Sequence, residues 1–188
     1  GTAAAADLKA LNDKTLTDVD ATKVTAITGT LAEVTAALGV GVDTAANVAV
    51  TITGTLASTD INALNAITLL TTGKVTATVA DTATALAAAL TTNGAGIAGT
   101  DALTLKVTGT ATAAELITLD SKTSVVVDAK AVTKITGTDL TVADVATVLA
   151  AKTIAKAADV AVTFTDDISA IQANTIAKLT TGVVTATV

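Results

Sequence analysis

The sequence predicts an α/β fold: a right-handed parallel α/β solenoid, leucine-rich-repeat-like in plan, with one strand and one helix per coil of about 25–29 residues. Three observations lead there. A short signature recurs seven times along the 188 residues. The signature alternates apolar or β-branched residues with threonine, the period of a strand. An Ala/Leu-rich stretch opening on Thr or Asp follows each complete copy, as a helix would. Residues 1–188 then form a single repeat solenoid of about seven coils.

The signature occupies residues 24–30, 50–55, 75–82, 105–110, 133–138, 162–167 and 184–188. Its shared apolar position is Ile27, Ile52, Val79, Val107, Ile135, Phe164 and Val188, so these side chains are expected to stack in one inward row. The expected helix caps are Thr30, Thr55, Thr82, Thr110, Thr138 and Asp167, with Thr30 and Glu33 spaced as a capping box. Leu56, Ile61, Leu64 and Ile67 share one helical face, as do Leu140, Val142, Val145 and Leu149. Coil two reads as a strand over 48–54 and a helix near 56–68. Gly73, Gly94 and Gly182 stand where helices end. Val19-Asp20-Ala21 and Val127-Asp128-Ala129 add a short strand or bend before two of the signatures. Residues 1–30 also align without a gap on 109–138, with 18 of 30 positions identical, a four-coil echo beyond chance.

Length supports closing each coil. A six-residue strand spans about 20 Å, and a helix of ten to thirteen residues about 15–20 Å. Going up by strand and down by helix returns the chain to its starting level, and successive strands run parallel. A flat all-β solenoid is the competitor, but Leu86-Ala87-Ala88-Ala89-Leu90 favours helix.

Composition narrows function by subtraction. Ala and Thr make up nearly half the chain; His, Cys, Pro, Met, Trp and Tyr are missing, Phe164 is the one aromatic, and all eleven basic residues are Lys. Imidazole bases, thiolate nucleophiles, disulfides and His/Cys metal sites are thereby excluded. Base stacking and bidentate phosphate recognition are excluded too, and a formal charge of −6 repels nucleic acid. No enzyme, cofactor, nucleic-acid partner or membrane span is expected. The hydrophobic content of 51% argues against disorder.

The units Ala113-Ala114-Glu115-Leu116-Ile117-Thr118-Leu119-Asp120, Val127-Asp128-Ala129 and Ile135-Thr136-Gly137-Thr138 resemble the tandem repeats of giant cyanobacterial cell-surface proteins, the motility proteins of swimming marine unicellular cyanobacteria among them. The resemblance covers essentially the whole chain. It implies an extracellular or cell-surface structural protein, and it offers no catalytic residues to carry over.

Outward strand positions form two expected columns. One is Ala26, Thr51, Thr78, Lys106, Lys134, Thr163 and Thr187; the other is Thr28, Thr53, Ala80, Thr108, Thr136 and Thr165. A flat threonine array can order water, bind ice or grip polysaccharide. Threonine also simply suits a solvated strand, and Lys106 and Lys134 interrupt the array. Asp166 and Asp167 with Asp81 offer oxygens to a calcium ion, although Asp at such corners ordinarily caps helices. Ser121-Lys122 is a weak nucleophile–base pair, because adjacent turn residues rarely converge on a substrate.

The chain opens with Gly1-Thr2 instead of a methionine and stops at Val188 inside a signature. Two expectations follow: a window of a longer array, or head-to-tail stacking through Gly1, Thr2, Val184, Thr185, Ala186, Thr187 and Val188. The functional expectation is a structural repeat protein of a surface layer, stalk or filament. Its partners are itself or adjacent repeats, with other surface components or polysaccharide beside them.

Overall fold

The computed structural model describes residues 1–97 and 99–188. They form two compact units, residues 1–79 with 89–103 and residues 80–88 with 104–188. In chain order the first elements are β1 (Thr2–Ala4), α1 (Ala5–Asn12), β2 (Val19–Ala21), β3 (Ala26–Gly29), α2 (Leu31–Ala37), β4 (Val42–Thr44) and β5 (Ala49–Leu56). A 3₁₀ turn (Ser58–Asp60) leads to α3 (Ile61–Thr68), β6 (Val75–Thr82) and α4 (Ala83–Asn93). Then come β7 (Ala102–Thr112), α5 (Ala113–Asp120), β8 (Val127–Gly137), a 3₁₀ turn (Asp139–Thr141), α6 (Val142–Ala150), β9 (Ile154–Lys156), β10 (Ala161–Asp167), α7 (Ala170–Ala177) and β11 (Val184–Thr187).

The predicted α/β alternation is therefore present, and every strand pairing described is parallel. In the first unit the strand order is β1-β3-β5-β6, with β2 and β4 forming a separate pair. In the second it is β7-β8-β10-β11, with β9 beside the start of β8. Val19-Asp20-Ala21 is the extra strand the sequence suggested. Its partner β4, and the matching β9, carried no such signal. One strand per repeat is thus too simple: the repeats that contain β2 and β3, β4 and β5, and β9 and β10 each carry two.

Strand faces follow from alternation. Val50 and Ile52 are buried while Thr51 and Thr53 are exposed; Val75, Ala77 and Val79 are buried with Thr76 and Thr78 between them half-buried. Against these strands the first unit packs Val34, Ile61, Leu64 and Ile67, each fully buried. The second unit buries Leu116, Leu119, Val145 and Val148 against Val107, Ile135, Val162 and Phe164. Each large aliphatic side chain so removed from water contributes about 1.5–3 kcal/mol. Leu140 is a correction: at 91% exposed it leaves the expected helical face, because it lies in the 3₁₀ turn before α6, and Val148 takes the inward place.

The stacking register also needs correction. Ile27 stands opposite Val50, and Val50 opposite Val75, while Ile52 faces Gly29 and Val79 faces Leu56. Ile135 pairs with Ala111 and Val162, and Phe164 pairs with Gly137. The expected row through Ile27, Ile52, Val79, Val107, Ile135 and Phe164 does not exist. At Ile27, and again at Phe164, the slip is two residues. A shift by an even number keeps every side chain on its own face, so the inward assignments survive at Ile27, Ile52, Val79, Val107, Ile135 and Phe164, whereas Val188 is a correction, 74% exposed.

Cap positions divide in the same way. Thr30 accepts from Glu33 N–H while the Glu33 carboxylate accepts from Thr30 N–H, completing the expected capping box on α2. Thr82 accepts from Ala85 N–H at the start of α4. Thr55 and Thr110 cap nothing of the kind, because their strands run on through left-handed glycines, Gly54 (φ +82°) and Gly109 (φ +80°), where the ladder shifts register. Thr112 caps α5, with Glu115 completing a box. Ser169 with Gln172, rather than Asp167, does so for α7. Thr138 serves the 3₁₀ turn through Thr141.

The four-coil echo extends much further than residues 1–30. α1 and α5 have boundaries 108 residues apart, α3 and α7 are 109 apart, and β6 and β11 begin 109 apart. Residues 1–79 and 109–188 are two editions of one block.

Candidate functional site

In the first unit the threonine face begins at Thr28, which pairs with Thr51, which pairs with Thr76; beyond the Gly54 bulge Thr55 pairs with Thr78. In the second, Thr112, Thr136, Thr163 and Thr185 follow one another on successive strands. The predicted columns are thereby redrawn. Thr51 stands beside Thr28 and Thr76 instead of Ala26 and Thr78. Lys134 lies between Thr110 and Ala161, Lys106 faces Asp128, and Thr108 faces Ala131. Thr53, Thr108 and Thr165 are exposed. The cause is the two-residue slip, which brings threonine opposite threonine.

The hydroxyls are partly committed within the strands. Thr136 Oγ1 donates to Ala111 O (3.5 Å), Thr165 Oγ1 to Gly137 O (3.5 Å) and Thr133 Oγ1 to Gly109 O (3.1 Å). A cleft of about 360 Å³ lies at the carboxyl ends of the second unit's strands, lined by Thr112, Thr136, Thr138, Thr141 and Thr165 with small aliphatic carbons between them. That end of a parallel sheet is a common ligand position. Its polar groups are hydroxyls engaged in caps and ladder bonds.

Both glutamates of the chain, Glu33 and Glu115, complete helix capping boxes. Burial pushes Glu115 up, but the Thr112 N–H and the Thr84 and Thr112 hydroxyls outweigh it and hold the carboxyl below its ordinary value. The Thr30 N–H and hydroxyl lower Glu33. Desolvation lowers Lys156, whose ammonium donates to Ala151 O and Ile154 O near the end of α6. Asp81 Oδ1 accepts from Thr82 N–H, and Asp166 and Asp167 are exposed at the end of β10. Among the described residues no cluster of three acidic side chains could hold a metal ion. Ser121 Oγ donates to Thr118 O (2.7 Å) at the end of α5, a helix-end bond and not an arrangement aimed at a substrate.

The edge strands place the expected stacking residues. β1 pairs with β3 through Thr2, and Gly1 O accepts from Thr25 N–H. β11 pairs with β10 through Val184, Thr185 and Thr187, with Ala186 between them and Val188 at 74% exposed. Val183 and Ile171 are also exposed, at 72% and 81%.

Sequence reasoning missed one device. Thr71 Oγ1 donates to Val48 O (2.6 Å) and accepts from Gly73 N–H, while Thr72 N–H donates to Ala46 O. Thr180 repeats this on Val160 O (2.7 Å) with Gly182 N–H, and Thr181 N–H donates to Ala158 O. Each Thr-Thr-Gly staples one lap to the one before. The available signal was the near-identity of residues 70–79 and 179–188, which differ only at Lys74 and Val183.

Among the described residues no helix is long and apolar enough to cross a membrane. Compared with known protein families, with curated proteins and with solved structures, the chain finds no match.

Proposed function

We propose that this chain is a structural repeat protein, wound as a right-handed α/β solenoid whose coils continue end to end in an extracellular or cell-surface layer, stalk or filament. The observation that carries the reading is the duplicated block, which presents at β11 the same sequence it presents in β6. Parallel strands stacked by backbone bonds extend without limit when each repeat offers its neighbour the same edge. The resemblance to cyanobacterial surface repeats belongs to the same proposal. It gives the chain no catalytic role, and adjoining repeats or copies are its partners.

Antibody against residues 1–188, applied to source cells under the electron microscope, is expected to decorate a surface filament or lattice. Labelling confined to the cell interior overturns the reading.

A second reading is favoured by the threonine-on-threonine register within each unit: a module binding polysaccharide or ice through Thr28, Thr51 and Thr76 in the first unit, or through Thr112, Thr136 and Thr163 in the second. Replacing Thr51 and Thr163 by Tyr is expected to abolish co-sedimentation with polysaccharide, or shaping of ice crystals, while leaving assembly intact. Unchanged binding by the variant sinks this second reading.

A further inference from the structure

The two blocks differ most where their last strands end. In the first block α3 and most of β6 share their compact unit with residues 89–97 and 99–103. Gly96 N–H donates to Asn65 Oδ1 of α3 (2.5 Å), and the carboxylate of Asp101, a 6% exposed residue, accepts from Val75 N–H at the head of β6 (3.1 Å). Leu90, Ile97 and Leu103 of the same segment are buried. Val75, Ala77 and Val79 are fully or almost fully buried there.

The second block carries the same receiving groups. Asn174 occupies in α7 the position of Asn65 in α3, and Val184, Ala186 and Val188 occupy those of Val75, Ala77 and Val79. Here Asn174 is exposed, Val184 and Ala186 are half-exposed, and Val188 is 74% exposed. Val162 N–H donates to Val183 O, as Val50 N–H donates to Lys74 O. In a parallel ladder that bond turns the N–H of the next residue, Val184, away from β10, as Val75 N–H turns away from β5 to meet Asp101.

We infer that the α7–β11 face is a docking site for a segment of the 89–103 type presented by a further repeat of this kind. The occupant is a helix end that runs through a Gly-rich loop into the start of a strand. It donates a backbone N–H to Asn174, places an Asp carboxylate on Val184 N–H and covers Val184, Ala186 and Val188 with Ala-Leu side chains. This deepens the end-to-end reading by naming the contacting groups, but it rests on the internal duplication and stands if copies of this chain do not self-stack.

A fluorescent peptide of residues 91–108 tests it against the 188-residue chain. Saturable binding is expected, with amide exchange at Val184 and Ala186 slowed about tenfold or more. An Asp101→Ala peptide and an Asn174→Leu protein should each bind about tenfold more weakly; Asn174 is exposed, so folding is not at stake. To remove the entropy of bringing in a free peptide, residues 80–108 are also appended after Val188, where the same amides should become protected. Unchanged exchange in both formats overturns the inference, and so does binding indifferent to both substitutions. Self-association that protects Val184 and resists displacement by the peptide also overturns it, because a different edge would then be the occupant. Sedimentation of the chain alone reads the self-stacking proposal separately. Peptide binding to a chain that stays monomeric keeps this inference and removes self-stacking.

Discussion

Residues 1–79 and 109–188 repeat one plan, yet matching residues have different fates. Val79 is fully buried and Val188 is 74% exposed, although both close the same Val-Thr-Ala-Thr-Val sequence. Thr71 is 7% exposed, while its counterpart Thr180 is half-buried. α5 has a threonine cap boxed with Glu115, whereas α1 has Ala4 at its cap position and no side-chain cap. In a repeat fold the side chain supplies a face and a hydrogen-bonding group. What those contribute depends on the lap laid over them.

The staple glycines break the comparison hardest. A Cβ on Gly73 would stand well inside 3.0 Å of Val48 O, and one on Gly182 equally close to Asp159 O, both backbone atoms. Gly73→Ala is expected to cost about 3 kcal/mol, since lap and turn must part. Gly182→Ala should cost less, about 2 kcal/mol, because its half-buried lap can move. Urea unfolding of both variants measures the pair, and equal losses would show that the covering lap adds nothing to rigidity.

The staple hydroxyls sharpen the same contrast. Thr71→Val keeps the shape but leaves Gly73 N–H and Val48 O without that partner in a buried place, a loss of about 2 kcal/mol. Thr180→Val should cost about 1 kcal/mol, since water reaches the half-buried groups it leaves.

Gly54 tests a different demand. Its φ of +82° lies in left-handed territory and nothing stands within 4 Å of an added Cβ, so conformation alone requires glycine there. Gly54→Ala is expected to cost about 1 kcal/mol, and Gly54→Asn distinctly less, because Asn tolerates that region. Gly137, in the same Thr-Gly-Thr signature, fails for want of space instead: its Cβ would meet Val145 Cγ2 at 2.8 Å. Asn should therefore rescue position 54 and worsen position 137, a reversal readable in thermal unfolding.

These contrasts show what the sequence exposed and what it hid. Alternation set which residues face in, and that held at Ile27, Ile52 and Phe164, because the strand period is two whatever the register. Register was illegible, since it is fixed by where Thr71 and Thr180 pin each lap and by bulges at Gly54 and Gly109 that the shared Thr-Gly-Thr spelling conceals. Cap residues misread at Thr55 and Thr110 for the same reason, as the strands run past them. The path from β5 to α3 is three residues longer than that from β10 to α7, which masked the second half of the duplication. On the candidate site, the exposure of Thr51, Thr53 and Thr165 was legible. Asn65, Asp101 and Asn174 were not, because single polar residues acquire meaning only when a second lap reaches them.

The smallest expected effect lies in the caps and carries a pH signature. Thr112→Ala removes the acceptor for Glu115 N–H and one donor to its carboxylate, at a cost of about 1 kcal/mol. Ala4→Thr, at the matching position of α1, should return about 0.5 kcal/mol by supplying the missing acceptor. Because Glu115 is held below its ordinary value in the fold, its contribution is present above the unfolded glutamate range near about 4.3 and is lost as pH falls through the lower folded value. Glu115→Gln should therefore flatten the acid limb of stability against pH. An acid limb unchanged by Glu115→Gln would mean that this cap carries no pH-linked stability and that the blocks differ only in what covers them.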